Sequence, residues 1–581
     1  MITNLLLYLR RFDYPVTARS FALFRILFAL YFTGLIFQLN GSSGLYFDHV
    51  SGISQSLFPA KATLFLWAGL NLMLLFGMFT RYAAAANYIV TVIMTSFFVN
   101  SNISSFNDDL LRIGSFLIIF LPVARCWSLD ALFTRLNAPS AQKQTSYLYY
   151  LLMILMSLGL LYFGSGVCKV FSPMWQKGLG LWTPAVMPYN KWNPLDLFTD
   201  QPWIMYSLNY IVILFELMFV FLLFNRKAHL YITLTGIGFH LGIALLFPFT
   251  YISLGPIVFY SLLLPDSFWN RLNDLIESTD KETVYFNPVS RPQQVAAAFI
   301  RTFDLRKRFT FVERQGRLAY GEHIQWDAVL HLSRKLPLLW KFSLLIRIPS
   351  VRMVLRYASD NWLAQTPAVT ETDPGTDRLR RFSFYTFTAV LCGIQLLYLA
   401  YHSYAAIRTD PAKKRVYLKQ RIATQDFSTK PSNLARTLFG INSRGVFLDH
   451  AFAGTKTVFA LSQTQADGTE QWLPVFDKNG YCELLNRNLN WHKLTFRYFA
   501  YNALLPDTNG LKKFSMLWMK QNRLAPDDIH LTVYRRRYPY PTEYEKGYLD
   551  KMLKLPWDTV GLIHWKDSVF HYSAIAADST R

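Results

Sequence analysis

Charged residues make up only 17% of the 581-residue chain, and acidic ones are the scarcer sign, with 37 Asp and Glu against 59 Lys and Arg for a formal net charge of +22. So little charge does not suit an ordinary soluble protein of this size, yet it is more than a bare membrane bundle carries, so the composition calls for both kinds of region. Cysteine is also scarce. Cys126, Cys168, Cys392 and Cys482 stand far apart and form no CxxC, which indicates neither a zinc site nor a disulfide framework. The basic excess forms no run interleaved with a recognition motif, so nucleic acid is not an expected partner; it sits beside apolar segments, as in loops held at one membrane face. The N-terminus, MITNLLLYLRRF, lacks the positive charge that precedes the apolar part of a cleavable signal. Arg10 and Arg11 follow it instead, which reads as an interfacial helix that stays on the protein. GxSxG and HExxH are absent, GSGVCK lacks the spacing of a phosphate loop, and no histidine pair has metal-ligand spacing on a helix. Hydrolase and metalloenzyme chemistry lose support, and no metal is expected.

What the chain has in quantity is apolar length: 52% hydrophobic and 17% aromatic residues, with a mean hydropathy of +0.18. A membrane-crossing helix takes about 20 mostly apolar residues. Candidate spans fall near 21–39, 62–80, 84–101, 109–124, 146–168, 205–224, 230–249, 252–265 and 383–404, which gives eight or nine helices. Lys and Arg concentrate in alternate loops: Arg10, Arg11 and Arg19 before the first span, Arg81 after the second, Arg125, Arg135 and Lys143 after the fourth, Arg226 and Lys227 after the sixth. Positive loops stay cytoplasmic, so the N-terminus and residues 266–382 are expected inside and the tail after the last span outside. The expected fold is a multi-span α-helical membrane bundle over 1–275, a cytoplasmic α/β domain over 282–365, a transmembrane helix at 383–404, and an extracytoplasmic α+β domain over 406–581.

The soluble parts carry their own signals. Residues 282–365 alternate strand-like TVYF, helix-like QQVAAAFIRTF and strand-like RFTFVER before a basic helical stretch, WDAVLHLSRKLPLLWKFSLLIRI. TETDPGTD, 370–377, is a linker into the last span. In the tail, TVFALSQ and TEQWLPVF are broken by Asp467–Gly468 and a second turn follows at Asn479–Gly480, the pattern of β-hairpins. WHKLTFRYFAYNAL reads as helix and IHLTVYRRR as strand, with Arg535, Arg536 and Arg537 expected at a solvated strand end.

Ionisable groups inside apolar spans cost roughly 2.5–3.5 kcal/mol each, so those present generally face a bundle interior or a wet cavity. Here they are Arg25, Arg112, Lys169, Glu216 and His240. The alternation of loops puts Lys169, His240 and the Asn107–Asp109 stretch at one depth near the outer face. The plainer readings are a snorkelling lysine, a helix cap and first-turn acids at Asp108 and Asp109, a structural pair of Glu216 with Arg25 or Arg112, and a hydrogen-bonded core histidine. The convergence of several elements favours a site.

Three stretches, SSFNDDLLRIGSFLIIFLPVARCWSLDAL, YFGSGVCKVFSPMWQKG and GFHLGIALLFPFTYISLGPIVFYSLLLPDSFW, occur in that order and resemble bacterial proteins with the horizontally transferred transmembrane domain, HTTM, whose animal relative is vitamin K-dependent gamma-glutamyl carboxylase. The resemblance spans about 15–275. It implies that Lys169, followed by Trp175 and Gly178, stands where the carboxylase has a lysine that deprotonates a reduced quinone, and that His240 matches a histidine in a later FH motif. The hydroquinone then reacts with oxygen, and the strong base so formed removes a glutamate γ-proton before carbon dioxide adds. The family's Asn-Asn-His stretch has Asn107 in place of its histidine, an amide that orients a neighbour but does not titrate. The implied catalytic group is therefore Lys169, His240 and Asn107, with Trp175, Asp108, Asp109 and Glu216 lining the substrate side. The implied cofactor is a reduced quinone of the vitamin K or menaquinone type, with the bilayer and an exported peptide or protein as partners.

Residues 283–365 resemble the thiol-disulfide oxidoreductases named for an Asp-Cys-Cys motif, with a thioredoxin-like fold. Asn287, Ser290 and Gln293 stand where that pattern has its aspartate and two thiols. Without a thiolate the exchange has no nucleophile, so this domain is expected to be redox-dead. The competing expectation for the whole chain is a non-catalytic membrane scaffold whose soluble domains bind protein partners.

Overall fold

The computed structural model describes residues 13–41, 60–95, 106–132, 144–191, 198–247, 250–336 except 305 and 325, 349–350, 353, 385–396, 434, 436–440, 455–482 except 466 and 474–475, 506, and 508–575 except 527–528. The N-terminal segment, the 370–377 linker, the later part of the basic stretch after 336, and the expected helix at 491–504 lie outside the described residues.

The membrane part is a bundle of apolar helices: α1 Arg19–Gly41, α2 Ala60–Phe76, α3 Thr80–Ile93, α4 Phe106–Ile118, α5 Tyr147–Val170, α6 Pro202–Leu222, α7 His229–Leu246 and α8 Thr250–Tyr260. Four segments are long and apolar enough to cross a membrane, Arg19–Gly41, Tyr147–Val170, Pro202–Leu222 and Arg226–Leu246; Lys61–Phe76, Ser253–Leu263 and Tyr385–Leu396 are shorter apolar helices. Burial sorts the long ones. The apolar stretch of α5 is 78% buried, whereas α6 and α7 are each 28% buried, so α5 is the central helix and the other two lie at the periphery. Their exposed faces carry Tyr210, Ile211, Leu214 and Phe221 on α6 and Tyr231, Leu234 and Leu245 on α7, a composition suited to lipid rather than water.

Helical spacing builds the core. Phe21, Phe24, Phe28 and Phe32 recur at three- and four-residue steps on one face of α1 and are fully buried. Phe32 meets Trp67 of α2 edge to face at 5.3 Å, and Phe24 meets Phe259 of α8 at 5.2 Å. The turn between α2 and α3 comes earlier than the apolar pattern implies, at 77–79, because Gly77 (φ 64°) and Phe79 (φ 46°) adopt left-handed backbone. Gly77 is needed there, since an added Cβ would fall 1.7 Å from Nη1 of buried Arg25. The guanidinium spans this turn to donate to the carbonyl of Trp127, so Arg25 locks loops together and does not pair with Glu216.

The two ends of the bundle differ. At one, strands β1 Pro15–Thr17 and β2 Gln144–Ser146 pair antiparallel, and α9 Asp266–Ile276 is tied to β1 by Asp266, which accepts the Thr17 amide, and to α1 by Trp269, whose indole donates to Ser20 at 2.8 Å. Beyond α9 comes a four-stranded sheet of β3 Glu282–Phe286, β4 Phe309–Glu313, β5 Ala319–Tyr320 and β6 His323–Ile324, in the order β4-β3-β5-β6. β3 and β4 are parallel and joined through α10 Arg291–Phe303, while β5 and β6 form a hairpin ahead of α11 Trp326–Lys335.

At the other end stands a five-stranded antiparallel sheet, β7 Thr455–Thr464, β8 Glu470–Trp472, β9 His530–Pro539, β10 Asp558–Lys566 and β11 Val569–Ala574, ordered β11-β10-β9-β7-β8. Gly468 (φ 80°) turns β7 into β8, and Gly480 (φ 97°) turns the chain between Phe476 and Cys482. This sheet and helix α12 Thr508–Asn522 share one apolar core with Trp182, Val186, Met187 and Met205 from the membrane part. Arg535 and Arg536 are buried, contrary to a solvated strand end, whereas Arg537 beside them is exposed as expected. Arg535 pairs with Asp558 at 3.0 Å, and Arg536 lies 4.2 Å over the Trp557 ring and donates to the carbonyl of Asn479 at 2.7 Å.

Candidate functional site

The last turns of α5 are set by small residues. Gly166 faces α6, where a Cβ would meet Leu217 at 3.0 Å and Glu216 Cβ at 3.2 Å. That close approach lets Lys169, one turn further on, reach Glu216: the ammonium donates to Oε1, and only 4% and 6% of the two side chains is exposed. After Phe171 the chain reverses. Ser172 caps a one-turn helix, Pro173–Gln176, by accepting from the Trp175 amide. This brings the buried Trp175 ring 4.7 Å from Lys169 Nζ. Gly180 seats that ring, since a Cβ there would lie 2.2 Å from it. Lys169 thus turns inward onto a carboxylate and an indole.

A second polar group lies beside this pair. His240 on α7 contacts the hydroxyl of Tyr162 through Nε2 at 2.6 Å, and that hydroxyl lies 2.9 Å from the hydroxyl of Tyr260 on α8. Gly236 makes room for Tyr260, because a Cβ there would fall 2.2 Å from its ring. Tyr162 and Lys169 stand two turns apart on one face of α5, which places the chain and the pair along the same helix, with partners on α6, α7 and α8. Ser165 stands beside the Glu216 carboxylate. Among the described residues Glu216 Oε2, His240 Nδ1, Asn209 Oδ1 and Thr233 Oγ1 have no hydrogen-bond partner though buried, an expensive state unless a ligand or water reaches them.

Of the residues marked in the sequence, the structure therefore brings together Lys169, Glu216, Trp175 and His240. It does not bring Asp109 to them. That carboxylate holds Arg112 at 2.9 Å and Arg436 at 3.4 Å, and Arg112 also donates to Thr95. Arg112, like Arg25, is accounted for elsewhere, so the partner of Glu216 is the lysine. The backbones of Asn107 and Asp108 lie in α4, and their side chains lie outside the described residues. Tyr162, Asn209 and Thr233 went unmarked, although each precedes a marked residue by seven positions, Lys169, Glu216 and His240 in turn, two helical turns along the same face. Among the described residues no group of three or more His, Cys, Asp or Glu side chains is placed to hold a metal.

The arrangement defines a class: a helical membrane domain with an inward-facing lysine–carboxylate pair beside a histidine–tyrosine chain, carrying soluble units at both ends. Residues 14–265 match the family model described as the HTTM domain. The match covers the β1–β2 ribbon, all eight bundle helices and every member of the polar cluster. No curated protein and no solved structure matches the chain.

Proposed function

We propose that the HTTM domain takes an amphipathic, hydroxyl-bearing molecule from the bilayer at the Lys169–Glu216–His240 cluster, and that Lys169 is the group that accepts its proton. The observation that carries this reading is the direction of Lys169. A snorkelling lysine sends its ammonium to the headgroups; this one is 3% exposed and buried against Glu216. In a medium of low dielectric such a pair rests either as ammonium and carboxylate or, after one proton shift along the Nζ–Oε1 hydrogen bond, as amine and carboxylic acid. In the second form Nζ carries a lone pair. A substrate O–H placed against it gives up its proton to Nζ, and Glu216 stabilises the ammonium so formed.

His240, Tyr162 and Tyr260 form a hydrogen-bonded chain, and His240 Nδ1 and Glu216 Oε2, without a partner among the described residues, suit a ligand bearing hydroxyl groups. The resemblance to gamma-glutamyl carboxylase makes a reduced quinone of the vitamin K or menaquinone type the fitting occupant, with Lys169 and His240 holding its hydroxyls; bound there, it would supply reducing equivalents. An exported peptide or protein is the corresponding substrate. The five-stranded sheet at the Lys169 end is suited to receive it, in a bacterial inner-membrane protein with a cytoplasmic N-terminus.

The 282–336 unit is read as thioredoxin-like on its strand order, a βαβ unit followed by a hairpin. Gln293 accepts from the Asn287 amide at 2.7 Å and donates to the Gly316 carbonyl at 3.0 Å, which closes the loop that would carry thiols. It serves as a binding piece without redox chemistry. That closure favours a second reading of the whole chain, a scaffold in which Lys169 and Glu216 only join α5 to α6. Lys169→Arg separates the two, because guanidinium keeps the charge and cannot act as a base. On the proposed reading Lys169→Arg fails to rescue a deletion strain at normal expression, and native mass spectrometry of the wild-type protein detects a bound quinone. Full rescue by Lys169→Arg would remove the basic role.

A further inference from the structure

At the opposite end of the bundle, away from the Lys169 cluster, β1 borders a cavity of about 50 Å³. Its floor is aromatic. Tyr14 and Tyr147 stack at 4.5 Å, Tyr147 stacks on His229 at 5.4 Å, and Tyr150 closes the side, its hydroxyl donating to the Thr17 carbonyl at 2.6 Å. Two opposite charges share the lining without pairing with each other. The Arg226 guanidinium lies 3.6 Å over the Tyr14 ring and has no carboxylate partner among the described residues. Asp266 accepts the Thr17 amide on Oδ1 at 3.0 Å, which leaves Oδ2 for another donor. The apolar segments Arg19–Gly41, Tyr147–Val170 and Arg226–Leu246 begin here and Ser253–Leu263 ends here, so the cavity lies where the hydrocarbon meets the headgroups.

We propose that this cavity binds the headgroup of an amino-bearing zwitterionic phospholipid, of the phosphatidylethanolamine type, from the adjoining leaflet. The primary ammonium sits against Asp266 and the tyrosine faces, and the phosphate lies at the Arg226 mouth. One cation and one carboxylate in the same lining match a zwitterion; a singly charged anion would meet Asp266 without compensation. Aromatic faces add cation–π attraction to a desolvated ammonium, and guanidinium suits a phosphate. A primary ammonium also donates N–H groups directly to a carboxylate, which a trimethylammonium lacks.

The test is competition for the full-length, detergent-purified protein among dioleoyl phosphatidylethanolamine, phosphatidylcholine and phosphatidylglycerol at equal concentrations, read by native mass spectrometry. The wild-type protein is expected to retain the ethanolamine lipid on the order of tenfold over the other two, the scale of one charge-assisted contact. Asp266→Asn keeps an oxygen for the Thr17 amide and should drop ethanolamine retention to the choline level, whereas Arg226→Gln should weaken the ethanolamine and glycerol lipids alike. Equal retention of the three lipids, or an Asp266→Asn protein that keeps the preference, overturns the proposal. An arm free of variants is stepwise N-methylation of the headgroup: affinity should fall toward the trimethyl form, and a flat series overturns the proposal. Soluble O-phosphoethanolamine that raises the melting temperature as much as the lipid does would assign the cavity to a small metabolite and overturn the lipid reading.

Discussion

Removing Lys169 alone should damage the protein more than removing the whole pair. Both partners are almost entirely buried, with 4% and 6% of their side chains exposed, so neither regains water when the other is lost. Taking one partner from a buried pair leaves an uncompensated charge and costs about 3–5 kcal/mol, while exchange of both for apolar side chains is near neutral or stabilising by about 1–4 kcal/mol. Lys169→Met also ends the contact with Trp175, on the order of 2 kcal/mol for a desolvated cation over an indole. Glu216→Leu should then restore most of the loss in the double variant, because the coupled charge is gone and the apolar face of α6 becomes continuous. The measurement is a double-mutant cycle on equilibrium unfolding in mixed detergent micelles, with a coupling of about 3 kcal/mol expected. A coupling below about 0.5 kcal/mol would refute the buried pair, since independent side chains add within that range. If the double variant regains stability and still fails to rescue a deletion strain, the pair serves function as well as structure.

Other outcomes follow from the same coordinates. Gly166→Val forces α5 off Leu217 and Glu216, whose atoms lie 3.0 and 3.2 Å from the added Cβ; the overpacking should cost about 1–3 kcal/mol in the same unfolding assay. Gly77→Ala places a methyl 1.7 Å from Arg25 Nη1 in backbone with φ 64° and should lower the melting temperature more than Gly69→Ala, where the added Cβ meets nothing within 4 Å. In the 282–336 unit, burial opposes the Glu282 charge, but Lys335, Tyr320 and Arg308 hold its carboxyl down at about 2, below an ordinary value of 4.5. A depressed folded value makes its contribution complete above about 4.5 and lost as pH falls toward 2. Hydrogen exchange of β3 and β4 amides should accelerate over that window, and Glu282→Gln should flatten the dependence. Arg536→Ala, which removes the donor to Asn479 and the stacking on Trp557, should loosen the 476–482 turn and reduce stability by about 1–3 kcal/mol.

Much of the frame is readable along the chain because bilayer and helix impose long, regular patterns. The apolar stretches near Arg19, Tyr147, Pro202 and Arg226 stand out since a span needs a run that nothing polar interrupts. Lys169, Glu216 and His240 stand out because a charge in such a run is costly. The partners of those groups are less visible. Asp109 looks equivalent to Glu216 in sequence, yet it is held by Arg112 three residues on and by Arg436, more than three hundred residues away. Tyr162 and Tyr260 read as ordinary interfacial or core aromatics, and only the packing of α8 against Gly236 turns their hydroxyls toward His240. Arg535 and Arg536 look like a solvated strand end until the 476–482 turn and Trp557 are seen to cover them.

By itself the sequence determined that this chain has membrane helices and which spans carry the costly charges, for these depend on local composition. Which charge meets which was decided only by tertiary structure. Lys169 reaches Glu216 because Gly166 lets two helices close in, Arg25 goes to the Gly77 turn, and Asp266 stands across a cavity from Arg226. Such meetings depend on the close packing of segments far apart in the chain, and periodicity along one helix holds no record of the neighbour it will touch.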